Sequence, residues 1–308
     1  QGTFAFIPDA LLVGTCFVNC VANLLSTQTQ DATLHLTPNG GSQLIGPVLG
    51  VPEKMVTEAS WGHVVSLGPL QFGQHRDVVV PMHIPGGTMP YLEAVVVWRS
   101  PKGTERRAAV QASTREVSSH AIAATARSDA VHVGYEAISD CHIVGVEAGR
   151  QKVLALCERL ATYEATCQLN DSVTALKADV EGRMTKALLG QDRFQRWGAH
   201  YLRSLIRSHQ LQCCTNFMDA GLQVYGGSLF KTLRSEGDAI FVSLPPPVGR
   251  PRSHVSSQRS GRRRRGGRLR QDVPAPPPRA AAAPASVPAP ARAPAPDMNV
   301  YYGGSGGG

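Results

Sequence analysis

Asp192-Arg193-Phe194-Gln195-Arg196-Trp197-Gly198-Ala199-His200-Tyr201-Leu202-Arg203-Ser204-Leu205 is the densest aromatic stretch in a chain of 308 residues that is only 6% aromatic. Phe194, Trp197, Tyr201 and Leu205 recur at spacings of three, four and four, which sets them on one stripe of an α-helix. Leu202 and Ile206 widen the stripe into a face that must be buried. A loop rich in Gly and Asn follows, Asn216 to Gly227, carrying Asn216, Phe217, Asp219, Gln223 and Tyr225. A second amphipathic helix then shows Leu229, Phe230, Leu233, Ile240, Phe241 and Leu244 on its apolar side. Pro245-Pro246-Pro247 end it, because proline has no amide hydrogen and clashes with the preceding turn.

Upstream of this unit the period is helical back to Gly149. Val153, Cys157, Leu160, Glu164 and Cys167 share one face. Asn170 or Asp171 is placed to cap a further helix bearing Val173, Leu176, Val180, Met184 and Leu188, with Gly190 at its end. Short connections between these helices favour antiparallel neighbours. Residues 31–118 have another character. Thr33–Leu36, Val64–Leu67, Asp77–Ile84, Tyr91–Trp98 and Val110–Val117 are short β-branched runs separated by Gly and Pro. The fold class expected is therefore α+β. An antiparallel β-sandwich occupies 31–118 and a helical hairpin or bundle 149–247, joined by a connector over 119–148 whose structure is left open. In that connector Ala121–Ala126 leans helical and Cys141–Val146 leans extended.

Charge separates the ends of the chain. The formal net charge is +8, but 11 Arg and two Asp lie from Gly249 onward, leaving 20 basic against 21 acidic residues before it. The folded part is thus near neutral, which excludes a nucleic-acid-binding globular surface. The segment 248–308 holds the cluster Arg262, Arg263, Arg264, Arg265 and Arg268, then a Pro/Ala-rich run and a Gly-rich end. With few apolar anchors it is expected to be a disordered linker. The Arg cluster reads either as a solvated linker or as a nuclear-import or nucleic-acid contact.

At the other end, Thr3–Ile7 reads as a short strand and Leu11–Leu25 as a helix apolar around most of its circumference. Such a helix wants cover on more than one side, from the following domain or from elements outside this chain. The start at Gln1, within an expected strand, reads as a piece of a longer protein. The stretch Gly2–Pro8-Asp9 followed by Val13-Gly14-Thr15-Cys16-Phe17-Val18-Asn19 resembles the last strand and helix of von Willebrand factor type A (VWA) domains, and residues 1–30 are assigned so. The resemblance continues through Gly73-Gln74-His75-Arg76-Asp77-Val78-Val79-Val80, Trp197-Gly198-x-His200-Tyr201, and Asn216-Phe217-x-Asp219-x-Gly221-Leu222-Gln223-x-Tyr225-Gly226-Gly227 to Leu244–Pro247. It points to the branch of multidomain intracellular proteins that couple a VWA domain to a Hedgehog/intein-like (Hint) segment, some with ubiquitin-ligase modules. Met218 and Ala220 stand where the family would carry a basic residue and a proline. The Asp-x-Ser-x-Ser motif through which these domains bind a divalent cation does not occur, and no cofactor is expected. Asn299–Gly308 resembles the segment before the first cysteine of a Hint domain. In that reading Gly308 is the acyl donor of a processing reaction.

Seven cysteines, without a Cys-x-x-Cys pair, read as reduced thiols of an intracellular, cytoplasmic protein, or a nuclear one if the Arg cluster directs import. There is no apolar run long enough to span a bilayer and no secretory signal pattern. Cys213 and Cys214 beside His209, with His200 and Asp219 near, allow a Cys–His–Asp arrangement. The competing reading is packed thiols at a helix end, and a loop whose Asn216, Asp219 and Gln223 satisfy backbone groups rather than recognise a ligand. The function expected is a non-enzymatic scaffold or interaction segment of a larger VWA-like protein, its partners other proteins, including ubiquitin-system components, and no membrane. Two alternatives stand beside it: the non-catalytic part of a Hint autoprocessing or ubiquitin-ligase protein, and nucleic-acid binding through the Arg tail.

Overall fold

The computed structural model describes residues 5–7, 12–87, 90–167 and 170–245. Thr3, Phe4, Pro8, Asp9, Pro246, Pro247, the Arg cluster and Gly308 lie outside the described residues. In chain order the elements are α1 (Val13–Leu25), β1 (Thr27–Pro38), β2 (Gln43–Leu44), β3 (Val56–Ala59), β4 (Gly62–Gln71), β5 (Met82–His83), β6 (Leu92–Arg99) and β7 (Glu105–Ala112). Helices follow: α2 (Ser119–Ile143), α3 (Val146–Thr166), α4 (Asp171–Asp179), α5 (Thr185–Ala187), α6 (Gln191–Arg193), α7 (Ala199–Leu211), α8 (Ala220–Gln223) and α9 (Ser228–Ser243). Turns of π-helix, Val180–Met184 and Phe194–Gly198, join α4 to α5 and α6 to α7. The fold is α+β.

The strands form a five-stranded antiparallel sheet in the order β3-β4-β1-β6-β7. β1 lies at its centre, with Leu34 opposite Val65 on β4 and Val96 on β6. Ala32, Leu36, Val65 and Leu67 are buried on one core with Val48. The layer over that core is thin. It consists of the two-stranded β2–β5 ribbon together with Val48, Val51, Val78 and Val80 from irregular segments. The run Asp77–Ile84, expected as a full strand, pairs only at Met82–His83 and through one bridge between Leu49 and Val79. Pro81 and Pro85 supply no amide hydrogens, and side chains of the helical layer take the backbone of Asp77 instead. β7 is an exposed edge strand that carries Glu105, Arg106 and Arg107, charges that discourage further strand pairing.

The open connector 119–148 is the longest helix. Ser118 caps α2 by accepting from the amide of Ala121 (3.1 Å). Cys141–Val146 is not extended: α2 runs to Ile143 and α3 begins at Val146. The sequence hid this helix because alanines (Ala126, Ala130, Ala137) and the polar Arg127 and Ser128 share its buried face with Val131, Val133 and Ile138, which blurs the apolar period. Those small residues allow close crossings. A Cβ on Gly134 would lie 2.6 Å from Cδ1 of Ile206 on α7. α4 starts as expected, with Asn170 Oδ1 accepting from the amide of Ser172 (3.0 Å).

The aromatic stripe is largely core. Phe194, Tyr201, Leu202, Leu205 and Ile206 are buried, while Trp197 is half-buried and packs edge-on against Tyr201 (5.8 Å). The apolar α1 docks on α9, and Ala22, Cys214 and Phe230 make a small core between them. Residues 5–7 form no strand, since no neighbouring strand pairs with them among the described residues. Phe6 instead packs on His200 and Tyr201 (6.5 Å each). β1 begins at Thr27, so residues 27–30 are part of the sheet.

Phe194 is 2% exposed and meets His142 edge-on at 5.2 Å. Phe194→Ala is expected to lower the unfolding free energy by about 3–5 kcal/mol, and Trp197→Ala by less, since part of that ring stays in water when folded. Denaturant titration of both variants checks the order; an equal or larger loss at Trp197 contradicts it.

Candidate functional site

The buried polar groups of the helical layer converge under the loop 216–227. Asp179 at the end of α4, Tyr201 and His209 on α7, and Asp219 before α8 are each almost fully enclosed. Asn216 organises the loop: its Oδ1 accepts from the amides of Met218 (2.8 Å) and Asp219 (2.9 Å), and its Nδ2 donates to Asp219 Oδ2 (2.8 Å). That is the local turn-forming chemistry of Asn. Gln223 closes the loop from the other side by donating to the carbonyls of Asn216 (2.7 Å) and Asp219 (3.0 Å). Tyr201 donates from its hydroxyl to Asp219 Oδ1 (2.8 Å), tying the loop to the aromatic helix.

A second strand of the network runs deeper. Asp179 Oδ2 accepts from the amide of Gly221 (2.9 Å) and lies 3.5 Å from His209 Nε2. His209 Nδ1 and the Tyr225 hydroxyl are 2.8 Å apart. Gly221 has to be glycine here, because a Cβ would stand 2.6 Å from Asp179 Oδ2 and 2.9 Å from His209 Cε1. Tyr225 carries the network to a cavity of about 260 Å³, shared with His75, Asp77, His120, Arg127 and Ser172. Burial raises the pKa of Asp219 and of Tyr225, and for Tyr201 the adjacent Asp219 carboxylate adds to the effect of burial. Both phenols therefore stay protonated at neutral pH.

The structure thus brings Tyr201, Asn216, Asp219, Gln223 and Tyr225 into one region and leaves the other sequence candidates at its edge. Phe217 is exposed and lies under the guanidinium of Arg234 (4.6 Å), which also donates to Gln223 Oε1 (2.8 Å). His200 is exposed and stacks on Phe6 rather than joining the network. Trp197 contributes through Tyr201 alone. Asp179, Arg127 and Gln212 were missed in the sequence, and only their enclosure identifies them. In the sequence, Asp179 three residues after Leu176 has no pattern that distinguishes it from a solvated acid.

The Cys–His–Asp arrangement is not assembled. Cys213 Sγ donates to Asn23 Oδ1 (3.2 Å) and Cys214 Sγ to the carbonyl of Asn216 (3.5 Å), while both nitrogens of His209 face Tyr225 and Asp179. Burial, together with the neighbouring Cys214 thiol, pushes Cys213 up to about 12; burial pushes Cys214 up to about 11. Such thiols are poor nucleophiles, since the thiolate is the reactive form. Among the described residues no group of three or more His, Cys, Asp or Glu is arranged to hold a metal ion.

Residues 170–239 match the family model described as VWA / Hh protein intein-like. That window contains Asp179, Tyr201, His209, Asn216, Asp219, Gln223 and Tyr225, so the buried network and the family match coincide in the chain. Among solved structures, a von Willebrand factor type A protein from Catenulispora acidiphila is similar, with 11% identity, 58% of this chain covered and a TM-score of 0.39. The chain spans 45% of that protein's length. No curated protein matches.

Native-state labelling with iodoacetamide near pH 8 is expected to modify the exposed Cys20 and spare Cys213 and Cys214. Rapid labelling of Cys213, read by peptide mass mapping, would restore a nucleophilic role. A second measurement concerns Asp219. Its raised folded-state pKa means that its contribution to stability is fully present below the unfolded value of about 4 and is lost as pH rises through the folded value. The destabilisation caused by Asp219→Asn should therefore shrink as pH rises through that window. A penalty that grows instead would mean that the ion pair with Arg183, 3.9 Å away, outweighs burial.

Proposed function

We propose that this chain is a non-enzymatic interaction and scaffold segment of a larger VWA-like multidomain protein, acting inside the cell on other proteins. The observation that carries the reading is the outer face of α1. Val13, Phe17, Cys20 and Leu24 fall at spacings of four, three and four, and all are exposed, Phe17 at 63% and Leu24 at 67%. No charged residue occurs in the whole of α1. Leu25 is exposed as well, as are Ile240, Phe241 and Val242 on the neighbouring α9 and Leu244 just past its end. A helix covered on one side and apolar on the other fits a complementary apolar helix or sheet face.

Two further points support the reading. The family match over 170–239 carries a description that couples VWA and Hedgehog/intein-like proteins, which favours a multidomain parent. The seven unpaired thiols, several of them buried, suit a reducing compartment. Among the described residues no helix is long and apolar enough to cross a membrane. The buried network under loop 216–227 has a supporting part in this reading: its donors and acceptors are largely spent on one another, which fixes the platform on which α9 and hence α1 rest.

A photo-crosslinking phenylalanine placed at position 17 of the natural protein tests the proposal. Expected are crosslinks that map to one apolar segment outside residues 1–247. They should vanish in Leu24→Glu, with the unfolding midpoint unchanged. Crosslinks confined to the chain's own residues, or unaffected by Leu24→Glu, would overturn it.

A further inference from the structure

Three guanidinium groups meet where the sheet adjoins the helical layer, and among the described residues none of them forms an ion pair at contact distance, although the Asp77 carboxylate acts on Arg127 from farther off. Arg76 donates from Nη2 to the carbonyl of Leu67 (3.0 Å), Arg127 from Nη2 to the carbonyl of Asp77 (3.1 Å), and Arg207 from Nη1 to Gln210 Oε1 (2.7 Å). All three acceptors are neutral. Among the described residues, no ion pair within 4.0 Å involves any of the three. Arg127 is only 5% exposed, and its Nε has no hydrogen-bond partner. Buried cations are ordinarily paired, so such a cluster needs a physical reason.

The surrounding space supplies one. An inner cavity of about 20 Å³ is bounded by all three arginines and by Gln210 and Gln212. An open groove of about 640 Å³ shares Gly50, Val51, Pro52, Met55, Arg207 and Gln210 with it as walls. Lys54, His132 and Tyr135 line the groove, and no carboxylate does. Asp77 is the one acid bordering the inner cavity, and its Oδ1 is already engaged by His120 (2.8 Å). The inner cavity holds one or two atoms of water size, which suits the oxygens of an oxyanion and excludes a ring. The groove has the dimensions of a small-molecule site.

We propose that this cleft binds a small oxyanion-bearing molecule, its carboxylate or phosphate head set against Arg76, Arg127 and Arg207 and its body in the groove beside Lys54 and Tyr135. Guanidinium forks match either head group in two-point contacts, and each arginine has unused N–H donors for them. The bound anion would also offset the mutual repulsion that, after burial, holds Arg76 down to about 10. Arg76 and Leu211 also border a second cavity that Cys20 and Leu24 of α1 line, whereas Arg127, Arg207 and the groove do not.

Titration calorimetry on the full chain tests this with inorganic phosphate, acetate and chloride at matched ionic strength. Expected is saturable binding of phosphate, of acetate, or of both, which also tells the two head groups apart. Arg207→Gln, at a partly exposed position, should weaken it about ten-fold or more, as loss of one charged hydrogen-bonding partner does. Arg196→Gln, at a side chain that is 76% exposed, should change nothing. The variant keeps the Arg-rich tail, so binding that survives Arg207→Gln belongs to the tail and overturns the proposal. So does the absence of saturation with both oxyanions, or equal heats from chloride. Should Arg207→Gln fail to fold by circular dichroism, Lys54→Gln takes its place with a smaller expected loss, and binding unchanged there has the same meaning.

Discussion

The structure depends on one side-chain amide. Gln212, at the C-terminal end of α7, exchanges two hydrogen bonds with the backbone of Asp77: its Oε1 accepts from the Asp77 amide and its Nε2 donates to the Asp77 carbonyl, both at 2.8 Å. This is the pairing a β-strand neighbour would make, delivered by a glutamine. The residue takes a left-handed backbone (φ 47°) that is uncommon for a side chain with a Cβ, and it is almost fully enclosed. Gln74 adds a bond to the Gln212 carbonyl, and Arg127 adds one to that of Asp77. The sheet and the bundle therefore meet through backbone groups satisfied across layers rather than through a shared apolar core. Their two large apolar clusters have no residue in common.

That manner of joining explains why polar groups collect at the junction. Segments 45–51 and 72–81 meet each other through Ile45–Pro81 and Leu49–Val79, and the backbone of Asp77 takes its partners from the helices. Arg127 and Gln212 serve this need, and they draw Arg76 and Arg207 into the same small volume. The network under loop 216–227 arises similarly. A short four-residue helix leaves most of its terminal groups unpaired, and Asn216, Gln223 and Asp179 supply the missing partners.

Much of this was legible in the sequence wherever large apolar residues kept a period. The stripe Phe194–Tyr201–Leu205, the cap at Asn170 and the strands around Leu34, Val65 and Val96 follow from spacing and residue type. The role of α2 did not, because alanine and glycine bury without producing a contrast with polar neighbours. The strand expected over Asp77–Ile84 failed for the opposite reason: its valines are partly buried, Val78 and Val80 against the core of the sheet, but prolines and helix side chains take the places of a pairing strand. Of the site, the loop 216–227 was visible as a loop with purposeful polar residues. Of its partners, Asp179 comes from a helix well upstream and neither spacing nor composition links it to the loop, while His209 stands close in the chain but its contacts with Tyr225 and Asp179 do not show in the sequence. Arginines at 76, 127 and 207 are ordinary in any helix or loop until packing removes their water.

The uncharged helix α1 has a consequence for how such a chain behaves in solution. Residues 1–248 carry a net charge of only −1, while the segment from Gly249 on carries +9. A neutral body with an apolar stripe has little long-range repulsion to keep copies apart. The basic segment from Gly249 on supplies that repulsion, which is screened over about 8 Å at physiological salt. Colloidal stability thus rests on the segment of the sequence richest in Arg, and trimming that segment for crystallisation would remove it.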